Sequence, residues 1–296
     1  MRRASSSLVS LGGRRAIRGI ASSGAFPTTP CGLHPLIDVT PLLEPASDCL
    51  RSATAEHMGA ALRQVGWFYA AGVSVLPSEY IRDIYAYLAL AHALPVDVKY
   101  KYRQRAGLGS YSGPDVGEPE LAYDGSPSRA TVRGWDYSRS RFSLGVGEGT
   151  PLADRYPPPH VLSPPFVDTM DELYERQDKL GRALMSGLEQ ALQLPKDALL
   201  SQFDGGDFGT IRLLHYPAAE SPPPELSRGT STHLTNGISP HTDFEVFTLM
   251  HQDAPGLQFM RRAPDGARHH LEWTDAPVRS FFACRSVLTA CSVPNF

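Results

Sequence analysis

His241 and Asp243, two residues apart in the run Pro240-His241-Thr242-Asp243-Phe244-Glu245-Val246-Phe247-Thr248-Leu249-Met250, are the side chains here best suited to chemistry. In extended backbone, residues i and i+2 point to the same side. An imidazole and a carboxylate can therefore converge on one point from a single rigid element. They are two of the three donors of a facial triad, which holds ferrous iron and leaves positions open for a cosubstrate and dioxygen. Taken alone, the same pair would serve equally well as a strand-end cap and a turn acid. The flanking sequence has to decide.

The pair opens an apolar run expected to continue as one strand to about His251. Upstream, residues 209–216 alternate, placing Arg212, Leu214 and Tyr216 on one face and Ile211, Leu213 and His215 on the other. A polar, proline-rich loop over 218–236 joins the two strands. Downstream, 256–260 reads as a strand, Ala263-Pro264-Asp265-Gly266 as a hairpin turn, and His270 to Trp273 as the start of the return strand.

The N-terminal half supplies scaffold. Short strands are expected at 36–39, 66–70 and 133–137. Ser47 or Asp48 can cap a helix burying Leu50, Ala53, Met58, Ala61, Leu62 and Val65. Ser78 opens a second, with Ile81, Ile84, Tyr85, Leu88 and Ala91 inward, stopped before Pro95. The longest helix covers 166–194 on a stripe of Met170, Leu173, Leu180, Leu184 and Leu188, and Pro195 ends it. Nine prolines and nine glycines within the 62 residues 104–165 leave room mainly for loops there. Gly145-Val146-Gly147-Glu148-Gly149 lacks the strand–helix context of a phosphate loop.

A net charge of −3 over 296 residues gives no electrostatic case for nucleic acid or an anionic membrane. No stretch approaches the ~20 apolar residues that span a bilayer. The four cysteines form no CxxC pair, which argues against a zinc ribbon or a secreted disulfide framework. Before the first acid, Asp38, the chain carries Arg2, Arg3, Arg14, Arg15, Arg18 and six serines. That composition suits a transit peptide to mitochondrion or plastid, or else an untargeted extension of a cytoplasmic protein.

Read together, these segments resemble the isopenicillin N synthase-like family of iron(II)- and 2-oxoglutarate-dependent dioxygenases. The resemblance covers 34–279 and rests on motifs in order: Leu36-Ile37-Asp38, then Val65-Gly66-Trp67-Phe68-Tyr69 with Gly72-Val73, then Leu94-Pro95 with Lys99-Tyr100. Arg155-Tyr156-Pro157 follows, and then Arg212-Leu213-Leu214-His215-Tyr216-Pro217. The set ends with His241-Thr242-Asp243, Leu249, Gln252-Asp253 and Pro255-Gly256-Leu257-Gln258. The resemblance implies an α+β protein with a double-stranded β-helix (jelly-roll) core and flanking helices. It implies His241 and Asp243 as iron ligands, with no catalytic residue beyond the ligands. Tyr216 would donate its hydroxyl to the carboxylate of 2-oxoglutarate, although a buried tyrosine bonded elsewhere fits that position as well. Fe(II), 2-oxoglutarate and dioxygen would together oxidise a C–H bond of a small organic substrate.

The expected organisation is an extension over 1–33, an N-terminal region over 34–165, a helix and connection over 166–207, the core over 208–279, and a divergent tail over 280–296. The tail departs from the family. Its run Ser280-Phe281-Phe282-Ala283-Cys284-Arg285-Ser286-Val287 has no acid and supplies neither the third ligand histidine nor the Arg-x-Ser pair that grips 2-oxoglutarate. The last barrel strands are therefore expected to be missing, leaving unpaired backbone and a poorly soluble, inactive chain. His215, His251, His269 and His270 are poor substitutes for the absent histidine. Without the Arg-x-Ser pair, an oxidase that uses no 2-oxo acid and a non-catalytic fragment both stay open.

Overall fold

The computed structural model describes residues 34–104, 110–117, 132–139, 152–203, 209–217, 236–241, 248–262, 271–276, 281–284 and 289–292. The described strands form two four-stranded sheets and one three-stranded sheet, and helices pack against one of the larger sheets and the small one.

The first strand, β1 (Leu36–Asp38), pairs in parallel with β2 (Trp67–Ala71). Between them lie α1 (Thr40–Leu43) and α2 (Asp48–Gln64). Ser47 caps α2, its Oγ accepting from the Leu50 amide at 3.4 Å. The buried face of α2 is Thr54, Ala55, Met58, Gly59 and Ala61; Leu50 and Ala53, expected inside, are exposed. The correction amounts to a rotation of the helix: small residues let α2 lie close against the long helix, so the larger Leu50 is left outside. At Gly72, φ is +69° and a Cβ would collide with Thr40 and Asp38, so the turn after β2 requires glycine. Helix α3 (Ser78–His92) ends three residues before Pro95, and α4 (Val96–Lys101) starts directly after it.

The small sheet runs β3 (Tyr111–Ser112), β4 (Arg133–Tyr137), β5 (Ile211–His215), all antiparallel. Helix α5 (Phe166–Ala191) packs behind it, with Phe166, Met170, Leu173, Leu180 and Leu184 buried as the 3.6-residue period requires. After α5 the buried Glu189 carboxylate accepts from the amides of Asp197, Leu199 and Leu200, closing the connection toward β5.

From β6 (Asn236–His241) onward the chain passes between the two larger sheets. Next come β7 (Thr248–Met250), β8 (Leu257–Arg262), β9 (Leu271–Asp275), β10 (Phe281–Cys284) and β11 (Thr289–Ser292). One sheet has the order β1-β2-β10-β7 and the other β6-β11-β8-β9. The expected single strand from the His241 region to His251 is thus two strands in two sheets. The hairpin turn at 263–266 and the glycine run 145–149 lie outside the described residues.

The two faces of the first sheet define two cores. Phe68, Ala70 and Leu249 join the helices and the small sheet in the larger core. Trp67, Tyr69 and Met250 join Leu257 and Phe259 of the second sheet in the smaller one. Trp67 and Phe259 stack there, with ring centroids 4.6 Å apart and planes at 20°. The smaller core is therefore the space between the facing sheets.

The tail corrects an expectation. Its two strands are not loose: β10 lies between β2 and β7, and β11 between β6 and β8, each hydrogen-bonded on both sides. A central strand needs uncharged residues that suit pleated, buried backbone, and Phe281-Phe282-Ala283-Cys284 and Thr289-Ala290-Cys291-Ser292 meet that need without any family motif. What the tail lacks is ligand side chains.

Candidate metal centre

β6 ends at His241, which pairs with Thr289 of β11, and Thr289 pairs in turn with Phe259 of β8. Position 241 thus stands in the row of the second sheet that contains the fully buried Phe259, the residue stacked on Trp67 between the sheets. Asp243 lies outside the described residues, so its convergence with His241 remains a reading of the sequence. Among the described residues, no group of three His, Cys, Asp or Glu side chains could hold a metal ion.

β5 follows the expected alternation. Ile211 and Leu213 are buried toward the helices, whereas Arg212 is exposed and Leu214 half-buried on the opposite face. Tyr216 is half-buried, one residue past the strand. The Arg212 face carries a polar group that sequence reasoning missed. Asp136, buried on β4 and directly opposite Arg212, accepts from Arg212 Nε at 3.2 Å and from Gln104 Nε2 at 2.8 Å. Its only sequence signal was alternation within Arg133-Gly134-Trp135-Asp136-Tyr137, which sets Asp136 opposite the buried Trp135 and Tyr137. Gly134 pairs with Leu214, and a Cβ there would come to 3.0 Å from Leu214 Cδ2, so the side chain of Leu214 lies down on the strand.

The histidines weighed as substitutes face the helices. His215 packs against His92 of α3, with ring centroids 5.2 Å apart and planes tilted by 34°. His251 Nδ1 lies 2.9 Å from the Tyr85 hydroxyl, and its carbonyl accepts from the same hydroxyl at 3.0 Å. Tyr85 belongs to α3, so His251 is engaged by the helix layer. His269 and His270 lie outside the described residues.

Burial lowers the pKa of His92 to about 4; the neighbouring His215, Lys99 and Arg133 add to the effect, and the Leu213 carbonyl opposes it. His215 is lowered by burial, then by Arg133 and Lys99, against Asp253. Burial also lowers His251, again against Asp253. A histidine whose folded pKa lies below its unfolded value of about 6.5 resists protonation in the native state. The unfolded chain then takes up the proton first, so stability falls as pH drops from about 6.5 toward 4 and is unaffected by these groups at higher pH. For His92 alone the loss approaches roughly 3 kcal/mol by pH 4. Urea unfolding between pH 7.5 and 5 checks this, and a midpoint that rises on acidification would contradict it.

No protein-family model matches the chain. It is 28% identical over 184 residues to the 2-oxoglutarate-dependent dioxygenase ecdK of Aspergillus rugulosus, covering 60% of this chain and 53% of that protein. It is 30% identical over 203 residues to the 2-oxoglutarate-dependent dioxygenase imqE of Aspergillus flavus, covering 61% and 53%. The chain therefore spans about half the length of these curated relatives. In fold it is similar to a full-length Neurospora crassa protein whose crystal structure is a complex with alpha-KG, at a TM-score of 0.68 and 20% identity, over 88% of this chain and 79% of that one. No helix among the described residues is long and apolar enough to cross a membrane. In sequence the chain is similar to proteins named 2-oxoglutarate-dependent dioxygenases, and in fold to a protein crystallised with alpha-KG.

Proposed function

We propose that the chain carries the iron site of an iron(II)- and 2-oxoglutarate-dependent oxidoreductase acting on a small organic molecule. The observation that carries this reading is the His-x-Asp pair of the sequence, whose histidine ends β6, together with a similarity to proteins named 2-oxoglutarate-dependent dioxygenases. The passage of successive strands between two facing sheets fits a jelly roll, the architecture in which such a site sits between the sheets.

His241 and Asp243 would hold the iron. Bound there, the metal would take a chelating 2-oxo acid and dioxygen in its open positions. Tyr216 would orient the cosubstrate carboxylate by donating its hydroxyl. Arg212, paired with Asp136, which Gln104 in turn holds, would give the same side of β5 a cationic rim. With His241 and Asp243 as its two named protein ligands, the site should bind iron modestly and turn over slowly.

The test separates three readings. In anaerobic equilibrium dialysis, 2-oxoglutarate should tighten Fe(II) uptake by at least about tenfold, because each ligand raises affinity for the other by the same factor. Succinate, which lacks the chelating 2-oxo group, should not. Uptake that ignores 2-oxoglutarate would favour an oxidase using no 2-oxo acid. A chain that takes up no iron would be a non-catalytic fragment.

A further inference from the structure

The role of His92 is unexplained by the proposed iron site. It is the last residue of α3, and its Nε2 lies 3.1 Å from the carbonyl oxygen of Leu213 in the middle of β5. A carbonyl only accepts, so Nε2 carries the hydrogen, and in the neutral ring Nδ1 is left as an acceptor. Nδ1 is buried with no hydrogen-bond partner among the described residues. The ring also packs on His215, two residues beyond Leu213. Helix α3 therefore grips β5 at two successive positions on its helix-facing side.

The backbone of His92 is itself held. Lys99 Nζ donates to the His92 carbonyl at 3.2 Å and pairs with Asp115 at 2.9 Å, and the Tyr111 hydroxyl also donates to Asp115 at 2.9 Å. Both residues of the Lys99–Asp115 pair are largely buried. The charged and titratable groups facing the two imidazoles are thus Lys99 of α4, Arg133 of β4 and, beyond His215, Asp253. Tyr111 of β3 also faces His92, with ring centroids 6.5 Å apart. A second proton on His92 would meet cations and, among the described residues, no acceptor, so the single Nε2–H bond is the form the site supports.

We propose that His92 is a positioning residue: its imidazole, bonded to the Leu213 carbonyl and packed on His215, fixes the course of β5 and so the placement of Tyr216. β5 is the strand that needs such a tie. Among the described residues its one strand partner is β4. The consequence for 2-oxoglutarate rests on the proposed function, but the grip on β5 does not.

Amide exchange of the metal-free protein, read by mass spectrometry on peptides covering 211–217, tests the grip directly. His92→Leu fills the space but removes the donor, and it should accelerate exchange there about tenfold while α5 peptides keep their protection. His92→Gln places an amide N–H near the same carbonyl and should restore most of the protection. If His92→Leu does not fold, His92→Asn, whose amide is too short to reach, takes its place. Unchanged exchange over 211–217 in the donor-free variant would overturn the proposal, as would equal acceleration in the Gln variant. Titration of the iron-loaded proteins with 2-oxoglutarate then reads the consequence: affinity lost in His92→Leu and regained in His92→Gln supports it. A wild-type protein that shows the exchange pattern but no 2-oxoglutarate binding would sink the proposed cosubstrate and leave the grip on β5 standing.

Discussion

Ending the chain at Arg279 abolishes its cooperative unfolding transition. This follows from where the last strands lie. β10 is bonded to β2 through four registered residues and to β7 through three, so its loss splits one sheet down the middle. β11 does the same to the second sheet, between β6 and β8. Unpaired edges would then face each other across the core built on Trp67, Tyr69, Leu257 and Phe259. A domain holds a net margin of only about 5–15 kcal/mol, and opening both sheets at their centres exceeds it. Circular dichroism against urea makes the comparison: the full chain should give a sigmoidal transition and the shortened one a gradual drift. A shortened chain with an unchanged midpoint would mean that the tail contributes nothing to the sheets.

The same segment shows where sequence reading succeeds and where it stops. Periodicity placed α3 and α5 well, because an amphipathic helix writes its own burial pattern; for α2 it found the helix but set Leu50 and Ala53 inside. The alternation over 209–216 put His215 and Arg212 on opposite faces, and in the structure His215 meets His92 of α3 while Arg212 meets Asp136. Strand pairing between distant segments leaves no such local mark. Nothing in Phe281-Phe282-Ala283-Cys284 announces that it belongs between β2 and β7, and a motif comparison sees only that the expected residues are absent.

The change of sheet between His241 and Thr248 was hidden for a related reason. An apolar run reads as one strand unless a turn residue interrupts it, and the run Phe244 to Met250 contains neither glycine nor proline. Asp136 was invisible because its importance comes from a cross-strand partner 76 residues away. For the proposed metal centre, the donors are named by the sequence alone. The described structure adds the row in which position 241 stands.

Everything functional depends on His241 and Asp243 acting together on one metal ion. Replacing either by alanine removes half of the protein's donor set. The loss should exceed the about 10–100-fold in metal affinity that outer-shell partners of a ligand are worth. The decisive measurement is Fe(II) uptake by the wild-type chain, His241→Ala and Asp243→Ala, dialysed anaerobically with 2-oxoglutarate present. Saturable uptake of a single ferrous ion by the wild type, undetectable in both variants while their unfolding midpoints stay put, is the predicted result. Equal uptake by all three proteins, or none by the wild type, would contradict it.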